Sequence, residues 1–373
     1  MEASSLLAQE LWNEILDHLH ESKKDLLSSA LVCRAFVDWA QRHLFNSLTI
    51  DAHPRRLVYR GHRTAISSTR LAALLSSSPH LIDYICALHI DPCNAETMTP
   101  LVRITWSRIS ALTLVQRSGE SLPALTLIET LVSLPTLRKI VFHGDFQTNH
   151  LRTVLSGCTP FVTSLAFRLC GPAIEALPTG DDISLPISCS HQHPSITHLD
   201  LDLCTTIPEF LMSTACPLDM SRLWAVKYGR SRGRGLSPFL YFVGRTIQTL
   251  DIETGDLEEL DMRRFPRLSR ITVHGPPRYA IERLAALQRA IERCCQSTVD
   301  VICYSLEAEA SDSLPDLETI QTVILSAEPR VLRRMEVEVT TREHSRAEWT
   351  ALIQGRMPQL AERGILEVHS ADL

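Results

Sequence analysis

Gly229-Arg230-Ser231-Arg232-Gly233 has the G-x-S-x-G spacing of a hydrolase nucleophile elbow, in which a serine on a sharp strand-to-helix turn attacks an acyl carbon. That elbow needs a helix running on from the serine itself. Gly233, Gly235 and Pro238 follow instead, and two arginines flank the serine, so hydrolase chemistry is not expected. Cys189, His191, His193 and His198 place four potential metal ligands close together. Zinc sites draw their ligands in spaced pairs with a matching second pair, and Ser184 to Ser195 reads better as a polar insertion. The chain has no Walker loop, no G-x-G-x-x-G and no H-E-x-x-H. Its 11 cysteines include no C-x-x-C pair, which points to reduced thiols rather than a disulfide framework or a zinc ribbon. The expectation is a non-catalytic chain with no metal and no cofactor.

The other chemistry-bearing residues are carboxylates set between apolar neighbours. Short L-x-L segments recur at Leu88-His89-Ile90, Leu112-Thr113-Leu114, Ile140-Val141-Phe142, Leu165-Ala166-Phe167, Leu199-Asp200-Leu201, Leu250-Asp251-Ile252 and Ile271-Thr272-Val273, with a weaker instance at Leu223-Trp224-Ala225. Most of their spacings fall in the roughly 20–29 residue period of leucine-rich repeats. Helical stretches lie between them, at Arg70 to Leu75, Leu125 to Leu134, His150 to Leu155, Ile207 to Met212 and Ala280 to Cys294. A strand and helix recurring at near-constant period cannot bury their apolar faces alone, so units must stack on their neighbours as a solenoid. Cys170 and Cys204 fall three residues after Phe167 and Leu201, where such repeats place asparagine or cysteine. The alternative, a doubly wound α/β domain, usually needs glycines at its strand-to-helix turns, and the chain has only 14.

Side chains alternate along a strand, so the residue between two inward apolar ones faces the concave surface. His89, Thr113, Asp200, Asp202, Asp251 and Thr272 are placed there, with Glu253 at the edge, as the candidate surface for an unidentified target protein. The clustered carboxylates suit a basic peptide. The basic run Lys227 to Gly235 reads as a solvated loop. Beyond Val273 the pattern fades, with possible strands at Val299 to Tyr304, Met335 to Val339 and Ile365 to Val368, and Ser305 to Pro315 reads as a loop.

The first fifty residues have a different texture. Leu7, Leu11, Ile15, Leu16 and Leu19 recur at helical spacing opposite polar residues, which predicts an amphipathic helix from Leu7 to His20. Ser22 followed by Asp25 is a capping-box signature, opening a second helix with Leu26, Leu27, Ala30 and Leu31. Phe36, Trp39, Ala40 and Leu44 predict a third helix, and Leu48-Thr49-Ile50 looks strand-like. Leu7-Ala8-Gln9-Glu10-Leu11, Ile15-Leu16, Asp25-Leu26 and Leu31-Val32-Cys33-Arg34 with Phe36 together resemble the F-box, with Ala8 where that family usually has proline. The resemblance implies docking onto a Skp-type adaptor and, through it, a cullin-based ubiquitin ligase. Leu7, Leu11, Ile15, Leu16, Leu19, Leu26, Leu31 and Val32 would then be the adaptor-facing residues.

The whole therefore reads as an α/β repeat protein, with an all-helical F-box at 4–50, a connector at 51–70, and a leucine-rich-repeat-like solenoid at 71–373 that is least regular after about 275. At 373 residues the chain has room for about two domains. Its 43 acidic and 37 basic residues give a net charge of −6, which provides no reason to expect nucleic-acid or anionic-membrane binding. Hydrophobic residues at 45% and charged ones at 21% exclude wholesale disorder. The chain lacks a signal-peptide pattern, a run of about 18 apolar residues and a C-terminal lipidation signal. A cytoplasmic or nuclear location follows as the expectation.

Overall fold

The computed structural model describes residues 11, 14, 17–19, 22–51, 65–117, 125–170, 193–229, 236–253, 256, 260–274, 289, 291–294, 297–307, 317–326, 332–341 and 346–372. The protein is α/β, with thirteen strands among these residues alternating with helices. It divides into two compact units, Met1–Leu165 with Pro172–Pro194 and Ala166–Gly171 with Ser195–Leu373. The division falls inside β6 (Ser164–Arg168).

The first unit opens with helices α1 (Lys23–Ala30) and α2 (Arg34–Asn46). Ser22 caps α1 as its position suggests, its hydroxyl accepting the Asp25 N–H at 3.4 Å. Four strands then pair in parallel, β1 (Ser47–Asp51), β3 (Ala87–Asp91), β4 (Ala111–Gln116) and β5 (Lys139–Gly144), with the short β2 (Ala65–Ile66) on the outer side of β1. Leu88, Leu112 and Ile140 stand in register as one buried column, and Ile90, Leu114 and Phe142 as the next. Helices α3 (Ser68–Ser77), α4 (Ala95–Met98), α5 (Leu125–Val132) and α6 (Thr148–Ser156) connect the strands and bury Leu71, Met98, Ile128, Leu131, Leu151 and Leu155.

Helix α2 is fastened to the repeats by a polar cluster. Tyr84, ending the 3-10 turn Pro79–Tyr84, donates its hydroxyl to Asp38, and Arg42 pairs with Asp38 at 2.9 Å while lying over the Trp39 and Tyr84 rings. The sheet also begins earlier than the sequence pattern suggests. β1 contains Leu48-Thr49-Ile50, strand-like in sequence although placed at the end of the all-helical domain, and β2 with the start of α3 occupies 65–70 of the expected connector; 52–64 lies outside the described residues.

In the second unit seven strands pair in parallel and in chain order, β7 (His198–Asp202), β8 (Ala225–Gly229), β9 (Thr249–Glu253), β10 (Arg270–His274), β11 (Val301–Glu307), β12 (Arg334–Thr341) and β13 (Leu366–Asp372). The connecting helices are α7 (Ile207–Met212), α8 (Leu236–Val243), α9 (Leu317–Ser326), α10 (Arg346–Arg356) and α11 (Pro358–Glu362). A doubly wound sheet reverses strand order at a switch point. No reversal occurs within β7–β13, and the arrangement is consistent with a solenoid-like repeat.

Two buried columns run the length of this unit. Leu199, Val226, Leu250, Ile271, Ile302, Met335 and Leu366 form one, and Leu201, Tyr228, Ile252, Val273, Tyr304, Val337 and Val368 the other. Each large aliphatic member contributes about 1.5–3 kcal/mol of burial.

Backbone bonds at the strand entrances hold the period. The carbonyl just before or at each strand's start accepts two N–H groups from the next repeat: Cys86 O from Ser110 and Ala111, Trp224 O from Gln248 and Thr249, Gln248 O from Ser269 and Arg270. At the strand exits the repeat cysteines are buried hydrogen-bond donors. Cys204 Sγ donates to Phe167 O at 3.1 Å and Cys170 Sγ to Arg168 O at 3.6 Å. Cys93 holds the same position after Ile90 and donates to Gln116 Oε1 at 3.5 Å. Leu169 and Leu203, just before Cys170 and Cys204, take positive φ to make the turn.

Three local expectations need correction. The strand read at Leu223-Trp224-Ala225 is three residues later, because Val226-Lys227-Tyr228 supplies the apolar pair while Leu223 is buried ahead of the strand. After residue 275 the strands expected at Val299 to Tyr304, Met335 to Val339 and Ile365 to Val368 are present as β11, β12 and β13 but run longer, β12 holding eight residues and β13 seven. Ser305 to Glu307, read as loop, completes β11; residues 308–316 lie outside the described residues. Of the expected helix Ala280 to Cys294, only 289 and 291–294 are described, and these are helical. Among the described residues no helix is long and apolar enough to cross a membrane.

Candidate functional site

Two surfaces collect the residues of interest, and the first belongs to the N-terminal helices. Leu31 is 88% exposed and Val32 73%, at the turn between α1 and α2, with Leu27 and Leu11 also exposed. Three of these large aliphatic side chains, Leu27, Leu31 and Val32, lie within six residues of one another, and Leu11 lies on an earlier helical residue. Leu27 is absent from the adaptor-facing set that the sequence suggests. Leu26 is fully buried, so it belongs to the chain's own core and is not available to a partner. Leu19 is half-buried, and Leu7, Ile15 and Leu16 lie outside the described residues. Asp17 contacts His43 of α2 at 2.8 Å, which ties the first segment to the third.

The second surface is the polar face of the strands, where the residue between each apolar pair stands in register with its counterparts. In the first unit this row reads Thr49, His89, Thr113, Val141, all half-buried except the buried Val141. In the second it reads Asp200, Lys227, Asp251, Thr272, Cys303, Glu336, Glu367. Asp202 lies opposite Gly229, and the next row continues with Glu253, His274, Ser305, Glu338 and His369.

The expected acidic patch is not free negative charge. Asp200 pairs with Arg168 at 3.2 Å, and Asp251 is held between Lys227 at 3.5 Å and the His274 ring. Lys227, expected to open a solvated loop, stands with Tyr228 and Gly229 in β8 instead, and 230–235 lies outside the described residues. With Lys227 between the two aspartates these three positions alternate in charge, whereas Glu336 and Glu367 stand side by side at the far end of the row.

Further along, Arg270 on β10 reaches across β11 to Glu336 on β12, with Nη1 3.0 Å from Oε1. Burial first, then the Glu336 carboxylate, pushes the Cys303 thiol up to about 11, leaving it neutral. Glu336, Glu367 and His369 gather potential ligand atoms within 4.8 Å of one another. Arg334 pairs with Glu367 at 3.2 Å and Arg270 with Glu336, so arginines already answer this charge.

Glu336 is almost fully buried, which by itself would raise its carboxyl pKa. The hydrogen bonds and charge of Arg270 outweigh this, with His369 and Arg334 adding to them, and hold it below the usual carboxylate range. A lowered folded-state pKa means the stabilisation is present above the ordinary Glu value of about 4.3 and is lost as pH falls through the folded value. Glu336→Gln is therefore expected to destabilise the protein near neutral pH by about 1–2 kcal/mol, less than a fully buried pair because Arg270 is partly exposed. Urea unfolding at neutral and acid pH checks this. The gap between wild type and variant should close on acidification, and a gap that persisted in acid would remove the ion pair as its cause.

Gly229 ends β8 with its Cα facing Asp202, whose carboxylate would meet any added Cβ at 2.8 Å. The glycine serves strand packing. Helix α8 holds Leu236–Val243 in its described part, and Ser231, with the rest of 230–235, lies outside the described residues. His193 and His198 are exposed, His198 packing edge-on against the Trp224 ring at 4.5 Å, while Cys189 and His191 are outside the described residues.

No protein-family model matches the chain, and no curated protein matches it.

Proposed function

We propose that the protein is a non-catalytic substrate-recognition adaptor of a Skp-cullin-F-box ubiquitin ligase, acting in the cytoplasm or nucleus. The N-terminal helices dock a Skp-type adaptor, and the leucine-rich-repeat-like solenoid that follows binds the target protein. The observation that carries this reading is the exposed aliphatic set Leu11, Leu27, Leu31 and Val32, on helices whose sequence resembles an F-box. A helix-in-groove interface needs anchors of this kind. The row of polar and charged side chains in the second unit supports target binding, since registered polar side chains on a stacked array offer an extended recognition surface. Ubiquitin transfer is carried out elsewhere in the complex, and this chain contributes proximity.

Ala8, where the family usually has proline, favours a second reading in which the chain is an F-box and repeat scaffold outside any ligase. Titration of the full chain with a Skp-type adaptor separates the two.

A further inference from the structure

Between the end of α7, the following segment and the end of α8 lies a pocket of about 370 Å³, within the roughly 300–1,000 Å³ range of ligand sites. Leu211, Met212, Leu218, Met220 and Phe242 make its walls apolar, and Phe242 is 59% exposed at its edge. Cys216 adds to the apolar lining, because burial pushes its thiol up to about 11 and keeps it neutral.

The polar groups of the lining are nearly all engaged within the chain. Ser213 and Thr246 donate their hydroxyls to the carbonyls of Phe210 and Val243. Asp219 accepts the Ser221 N–H at 2.9 Å; hydrogen bonds from Ser221 hold its carboxyl below the usual range, and the charge of Arg222 adds to the effect. Arg245 is different. It is exposed and has no hydrogen-bond or ion-pair partner among the described residues. The open valence of the pocket is therefore cationic, beside an apolar hollow.

We infer that this pocket is a docking site for a peptide segment of a target protein, taking a bulky apolar side chain into the hollow and pairing an adjacent Asp or Glu with Arg245. The inference rests on the target-binding half of the proposed function. Its test uses no adaptor, so the two fail separately.

Met212 and Met220 line the pocket and serve as probes in the full chain labelled with 13C-methyl methionine. Their resonances should shift on adding acetyl-Gly-Phe-Glu-Gly-amide, with the corresponding Phe-Lys peptide binding about fivefold more weakly, as for one partly exposed ion pair. Arg245→Glu, at an exposed position that leaves the fold intact, should invert that order. Equal binding of both peptides, an order unchanged by Arg245→Glu, or no shift at millimolar peptide would each overturn the proposal. Shifts with phenylbutyrate but with neither peptide would overturn it too, showing a small-molecule pocket instead.

Discussion

Gly144→Ala is expected to destabilise the protein by about 3–5 kcal/mol, measured as the shift in a urea unfolding midpoint at constant slope. Gly144 closes β5 at φ +100°, a conformation that costs a residue with a side chain about 1–3 kcal/mol. An added Cβ would also run into the carbonyl of Gln116 on the neighbouring strand, and moving that backbone costs about 1–3 kcal/mol more. Gly364 is the internal control. It too has positive φ, +66°, but nothing lies within 4 Å of its would-be Cβ, so Gly364→Ala should cost only about 1–2 kcal/mol of conformational strain. Equal costs at the two sites would show that the close approach of β4 and β5 is not what requires the glycine.

The second large effect is on binding rather than stability. Leu31→Asp with Val32→Asp is expected to weaken association with a Skp-type adaptor on the order of a hundredfold or more, because it would bury unpaired charge in an apolar groove. Both side chains are exposed in the free chain, so its unfolding midpoint should hardly move. Leu26→Asp makes the contrast. Leu26 is buried in the chain's own core, and that variant should lose helix stability before it reports anything about docking. Unchanged adaptor affinity in the Leu31 and Val32 variant would remove the α1–α2 turn from the interface.

The repeating strands were legible because each is marked twice, by an apolar pair around one residue and by a near-constant spacing. That double signal located β3 through β7, β9 and β10. It failed at β8, where Val226 and Tyr228 flank a lysine and the nearby Leu223-Trp224 looked the better strand. β11 through β13, read as possible strands from their apolar residues alone, continue the parallel pairing one after another from β10, although the connections there are longer than the repeat period predicts.

The surface was far less legible than the fold. Alternation assigns Asp200 and Asp251 to the polar face, but not what stands beside them. Their partners Arg168, Lys227 and His274 arrive through cross-strand register, and Arg270 meets Glu336 across 66 residues of sequence. The pocket by Arg245 has no motif at all, since it is made where two helix ends and an irregular segment converge.

The measurement that bears most directly on the proposed function is calorimetric titration of the full chain with a purified Skp-type adaptor. The expected result is saturable one-to-one binding at micromolar affinity or tighter, abolished by the Leu31 and Val32 substitutions. Absence of binding at adaptor concentrations of tens of micromolar, by a chain that unfolds cooperatively, would contradict the ligase-adaptor role and leave the scaffold reading in its place.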